Sequence, residues 1–179
     1  SSLGAQNLAD ELNSIRPDSA KTIQAELSRN DDIEQLSRSV RSLDVLINNA
    51  SVFFPTPIDN LKLSDYQKIM NTNVMGPLFL SSTLSKKLTQ NNGSIVNIID
   101  IHGERPLRNH TIYNISKAAI AMMTKTLAKE LAPNIRVNGV SPGSIIWPEN
   151  EAELNQSQKQ STLNKIALNK QGSVNDIAD

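Results

Sequence analysis

Three short aliphatic runs, Leu43–Ile47, Ser94–Ile99 and Ile135–Ser141, are separated by stretches with helical periodicity, and they constrain this chain more than any other feature. Each run is too short for a stable helix, and Leu43–Ile47 is nearly continuous in apolar residues, the pattern of a strand buried inside a parallel sheet. Parallel strands need long, usually helical crossovers, and the chain supplies them. Leu8, Leu12 and Ile15 predict a helix over Leu3–Ile15, closed by Arg16-Pro17; a short strand is expected at Thr22–Leu27; Asn30-Asp31-Asp32 caps a second helix through Ile33, Leu36 and Val40. Ser64-Asp65 opens a long helix to about Gln90, interrupted by Gly76-Pro77. Another runs from about Tyr113 to Leu131, with an apolar stripe of Ile115, Ala119, Met122 and Leu127, and stops at Pro133. Strict alternation of helices and strands predicts an α/β fold with a doubly wound parallel sheet. Ligands of such sheets sit at the carboxyl ends of the strands, which singles out Asn48, Asp100, Pro142 and the loops after them.

Composition removes several classes of function. The 179 residues include 18 Lys+Arg and 18 Asp+Glu without a basic block, so neither nucleic acid nor a membrane surface is an expected partner. With no cysteine and two histidines, His102 and His110, no metal site is expected, and both histidines are assigned to loops rather than to chemistry. No apolar run approaches the roughly 18–20 residues of a membrane span and the N-terminus has no signal-peptide pattern, so a soluble, cytoplasmic protein is expected. The seven glycines contain no G-x-G-x-x-G turn. The length fits one domain over residues 1–179, with the polar stretch from Glu149 to Gln171 as a lid or surface segment.

Tyr113 and Lys117, four apart at the start of a helix, share one face. A cation near a phenol favours the phenolate and makes the hydroxyl a better acid, so the pair suits protonation of a developing anion. It stands in an ordered series: Asp44-Val45-Leu46-Ile47-Asn48-Asn49-Ala50-Ser51, then Asn73 in a long helix, then Asp100 ahead of Tyr113, then Asn138-Gly139-Val140-Ser141-Pro142-Gly143.

Together these motifs resemble the short-chain dehydrogenase/reductase family over nearly the whole chain. The resemblance implies a three-layer Rossmann-type sheet, here without its first strand, glycine turn and helix and without its last strand, and residues 144–171 as a substrate lid. It implies that Tyr113 is the general acid, that Lys117 holds the nicotinamide ribose and lowers the tyrosine pKa, and that Asn73 holds a water linking the lysine to solvent. Glu26, Leu27, Asn48, Asn49, Ala50 and Ser51 would border the adenosine side of the cofactor, and Pro142, Gly143 and Ser144 would run along the nicotinamide.

Where most of the family carries serine, this chain has Asp100. A carboxylate only accepts hydrogen bonds and repels the oxygen of a ketone as charge develops on it, whereas a ring with N–H groups that needs a proton on nitrogen suits it. The pteridine reductase branch carries aspartate there, and Asn49–Pro57, Asp100–Leu107 and Pro142–Glu149 are similar to that branch. The resemblance then implies Phe53 stacked on the pterin, Trp147 at the substrate mouth, NADPH as cofactor, a pterin or folate-type substrate and a homotetramer. A carbonyl or 3-oxoacyl-carrier reductase is the alternative enzyme, and a catalytically silent dinucleotide-binding protein the alternative outside enzymes.

Overall fold

The structure is a computed structural model and describes residues 2–147 and 155–178. Three strands, β1 (Val45–Asn48), β2 (Ser94–Ile98) and β3 (Arg136–Val140), form a parallel sheet in the order β1-β2-β3. Leu46, Ile95 and Val137 share one rung, and Asn48, Asn97 and Gly139 the rung two residues on. Side chains of a strand alternate between faces, so both rungs face the same layer of helices: α2 (Asn30–Ser39), α4 (Gly76–Gln90) and α5 (Thr111–Glu130). Leu88, Ile120, Met123 and Leu127 close over Ile95 and Val137, while Ile33, Leu80 and Leu84 gather against Leu46. Burying each such side chain is worth about 1.5–3 kcal/mol.

The second rung carries a polar network between its two asparagines and the helices. Asn48 Nδ2 donates to Asn97 Oδ1 at 2.8 Å and to Ser81 Oγ at 3.3 Å, and Asn97 Nδ2 donates to Thr124 Oγ1 at 2.9 Å. This network ties β1 and β2 to α4 and α5, and it uses the Asn48 amide for structure.

The long helix expected from Ser64 to Gln90 is one continuous path in three parts, α3 (Leu63–Met70), a π-helical turn over Asn71–Met75 and α4. Pro77 explains the wide turn, because it lacks an N–H and its ring collides with the carbonyl four residues back; the Gly76 N–H reaches back five residues to the Asn71 carbonyl instead.

Three expectations are corrected. Thr22–Leu27 is not a strand; no ladder partner lies beside it among the described residues, and extended residues without one do not make a sheet. The helix α1 (Ser2–Ile15) forms as predicted, but Leu8, Leu12 and Ile15 are exposed and Ala9 is its buried residue. In α5 the buried face is Ile112, Ser116, Ile120, Met123 and Leu127, whereas Ile115 and Met122 are 51% and 62% exposed. That helix is apolar on two sides, and periodicity alone cannot say which one meets the sheet. Within the segment expected to be a lid, α6 (Gln156–Leu163) starts with a reciprocal cap between Asn155 and Gln158, and α7 (Asn175–Ala178) follows. Residues 148–154 of that segment, Glu149 included, lie outside the described residues.

Candidate active site

Asp100 leaves the carboxyl end of β2 and caps a short turn over Ile101–Gly103, its Oδ1 accepting the His102 N–H at 2.9 Å. Gly103 is what lets that turn lie on α5: a Cβ there would sit 3.0 Å from backbone atoms of Lys117 and Ala118. The close approach brings Asp100 Oδ2 within 2.6 Å of the Tyr113 hydroxyl, which donates to it. Lys117, one turn further along the buried face of α5, donates to the Ile98 carbonyl at 3.2 Å and holds its ammonium 5.5 Å above the Tyr113 ring centroid. The structure thus joins Asp100, Tyr113 and Lys117 at the strand end where the sequence placed them.

The electrostatics differ from expectation. Burial first, then the hydrogen bond and the negative charge of Asp100, push the Tyr113 hydroxyl far above its ordinary range. Lys117 does not lower it here, because its ammonium lies over the ring and bonds to Ile98 rather than to the phenol oxygen. Burial lowers the pKa of Lys117 itself, opposed by the charge of Asp100. The tyrosine therefore holds its proton firmly.

Asn73 sits in the π turn with no exposed surface. Its Oδ1 accepts the Val52 N–H at 2.8 Å, and its Nδ2 donates to the Val52 carbonyl at 3.0 Å and to Ser116 Oγ at 3.2 Å. Its side chain thus anchors the loop after β1 to α5, which the expected role in holding a water did not include. The far end of that loop is fastened too: the Thr56 N–H donates to the Asn109 carbonyl at 2.6 Å, and Thr56 Oγ1 accepts the Ile112 N–H at 3.2 Å. Between the anchors Phe53 stacks on His110 and sets its ring against Tyr113 at 4.8 Å, edge to face, while Phe54 lies 5.4 Å beneath the Lys68 ammonium.

Of the residues expected at the cofactor, Leu27, Asn48, Asn49 and Ala50 line one apolar groove together with Ile47 and Pro77. Ser51 is exposed beside it. The Glu26 carboxylate is turned to its own loop, where hydrogen bonds from the Ser28 N–H and hydroxyl hold its pKa below the usual range. Pro142 accepts the Ile101 N–H at 3.3 Å, Gly143 faces open space, and the Ser144 carbonyl accepts the Gly172 N–H at 3.0 Å. Trp147 is half-buried and makes no ring contact with Phe53 or Tyr113. Sequence reasoning missed Ser116 and His110; the signal for His110 was its place one helical turn before Tyr113. Among the described residues no cluster of three or more metal-ligating side chains occurs, and no helix is long and apolar enough to cross a membrane.

The sequence profile of the family described as short chain dehydrogenase matches residues 2–159. The chain belongs to the short-chain dehydrogenase family. Among curated short-chain relatives, a 3-oxoacyl-(acyl-carrier-protein) reductase of Thermotoga maritima is 34% identical over 148 residues, covering 82% of this chain and 60% of the relative. Pteridine reductase 1 of Leishmania tarentolae is 31% identical, over 83% of this chain and 66% of the relative. A solved structure assigned as a betaketoacyl-ACP reductase aligns with TM-score 0.82 and 26% identity over 97% of this chain and 71% of that one. This short-chain dehydrogenase chain has the family's Rossmann-like α/β fold with a parallel sheet, and it spans about three-fifths of the length of the first of those relatives.

Proposed function

We propose that this protein is an NADPH-dependent reductase of pteridine rings, of the dihydropterin or dihydrofolate type. The observation that carries the reading is the 2.6 Å hydrogen bond from the Tyr113 hydroxyl to Asp100. A carboxylate beside the acid is a poor neighbour for a ketone oxygen gaining negative charge, and a good one for the N–H and amino groups of a pteridine. When bound, a nicotinamide cofactor supplies the hydride to a ring carbon. The ring nitrogen conjugated to that carbon gains a proton from the Tyr113 hydroxyl, and Asp100 orients the phenol and accepts hydrogen bonds from the substrate ring. Lys117 has three donors and one protein acceptor, the Ile98 carbonyl, which leaves donors for ribose hydroxyls. The open space at Gly143 and the apolar groove along Leu27 and Asn48–Ala50 suit the flat faces of such a cofactor. The choice of NADPH over NADH rests on resemblance to the pteridine reductase branch.

A second reading, reduction of 3-oxoacyl thioesters, is favoured by the Thermotoga relative and by the aligned structure. NADPH oxidation by the full-length gene product, followed by absorbance with dihydrobiopterin, dihydrofolate and an acetoacetyl thioester, separates the two. The pteridines are expected to turn over and the thioester only weakly. Asp100→Ser is expected to cut pteridine turnover by about 10²-fold and to improve the thioester. Turnover of the thioester alone would establish the second reading instead.

Single-domain organisation, with residues 144–171 closing over substrate, belongs to the same proposal, as does a homotetramer. Ile115 and Met122 on α5 and Leu78 and Phe79 on α4 are exposed apolar side chains, a face suited to burial against another copy. Light scattering is expected to return four copies, and a monomer at micromolar concentration contradicts that part.

A further inference from the structure

Asp100 belongs to a turn that is held from two sides. On one side the Ile101 N–H donates to the Pro142 carbonyl at 3.3 Å, next to the Ile99 N–H, which donates to Val140 at the end of β3 at 2.7 Å. Within the turn the His102 and Gly103 N–H groups both return to Asp100, to Oδ1 at 2.9 Å and to its carbonyl at 3.1 Å. On the other side Gly103 lies directly against α5. A Cβ on it would stand 3.0 Å from Ala118 N and Lys117 C and 3.1 Å from Lys117 O. No glycine among the described residues has a positive φ, so the backbone at Gly103 is one that other residues adopt. What the position requires is space.

The atoms that a methyl group would meet are backbone in the interior of a 20-residue helix, and Ser116, Lys117 and Ile120 around them are buried. A flexible side chain could swing aside; a packed helix backbone cannot. The turn is the part that would give, by a few tenths of an ångström, and Asp100 is bonded into it. The Tyr113 hydroxyl donates to Asp100 Oδ2 at 2.6 Å, within the short range of a bond to a carboxylate, so a shift of that size turns it into an ordinary one.

We infer that Gly103 is a positioning residue: the missing side chain sets how closely Asp100 approaches the Tyr113 hydroxyl, and Gly103 acts on the reaction only through that carboxylate. The inference rests on Tyr113 as the acid and Asp100 as the group that orients it, and it holds for either substrate class. The same turn bonds to Pro142, so it also fixes the distance between the acid on α5 and the chain leaving β3.

The test is a double-mutant cycle of Gly103→Ala with Asp100→Ala in the full-length protein, assayed with whichever of dihydrobiopterin, dihydrofolate and the acetoacetyl thioester the wild type reduces. Gly103→Ala is expected to lower kcat about five- to tenfold, with a smaller change in KM. In the Asp100→Ala background the same change is expected to cost less than about twofold, because the group it displaces is already gone. Thermal melting should fall by about 5 °C in both backgrounds, the effect of a crowded methyl group, and the assays are run well below the melt. A crystal structure of Gly103→Ala is expected to show the bond from Tyr113 to Asp100 lengthened to about 3 Å. An equal loss of kcat in both backgrounds, an unchanged distance, or a variant too unstable to purify overturns the positioning role. The distance needs no substrate, so a wild type inactive toward all three compounds defeats the proposed function while Gly103 is still judged by the geometry.

Discussion

Replacing Tyr113 with phenylalanine is expected to lower kcat for NADPH-dependent reduction by about 10²–10⁴-fold with little change in KM, the range for loss of a positioned general acid. The ring and its packing against Phe53 stay; the hydroxyl that donates to Asp100 at 2.6 Å goes. Stability should fall by only about 1 kcal/mol, since Asp100 keeps the His102 N–H. The wild-type pH profile carries the same chemistry. Burial and Asp100 raise the tyrosine pKa, so the phenol stays protonated through the ordinary tyrosine value of about 10. A required acid is lost only as pH rises through its own pKa, and no alkaline loss of activity due to Tyr113 should appear below about pH 10. Single-turnover kinetics would reveal the step directly, and a phenylalanine variant within threefold of wild type would remove Tyr113 from the chemistry.

Asn73→Ala should be the most destabilising single change in the site. The side chain is fully buried and satisfies both backbone groups of Val52 as well as bonding Ser116. Alanine leaves these groups without their partner at a cost of about 3 kcal/mol in all, which for a chain of this size lowers the melting temperature by about 10 °C. The same change releases the Val52 end of the loop that carries Phe53, so residual activity should fall more than the stability loss accounts for at temperatures well below the melt. Asn73→Asp is the informative control, because it keeps an acceptor for the Val52 N–H but loses both donations. Calorimetry with all three proteins checks the order, and equal melting temperatures would remove Asn73 as the anchor of the loop.

Much of the site was legible because its chemistry is local in sequence. Tyr113 and Lys117 are one helical turn apart, so helical geometry alone aligns them, and Asp100 stands where a strand ends, as polar residues after buried runs do. The polar pair Asn48-Asn49 marks a strand end in the same way, yet the Asn48 amide binds Asn97 and Ser81 across the sheet and helix layer, contacts between residues remote in sequence. The stripe read for α5 included Ile115 and Met122, which lie on its exposed side; two apolar faces on one helix have the same period, and only packing against the sheet distinguishes them. Thr22–Leu27 had the composition of a strand and lacked a partner, since strand propensity measures fit to a neighbour more than a backbone preference.

The sequence by itself determined the alternation of strands and helices, the place of Asp100 at a strand end and the shared helical face of Tyr113 and Lys117, because periodicity and strand ends are properties of neighbouring residues. The tertiary structure alone decided the direction in which Tyr113 titrates, the anchoring of Val52 by Asn73, and the stack of Phe53 on a histidine whose Nε2 has no partner. Burial, hydrogen-bond partners and ring contacts all depend on groups that meet only when the chain folds, and no local pattern encodes them.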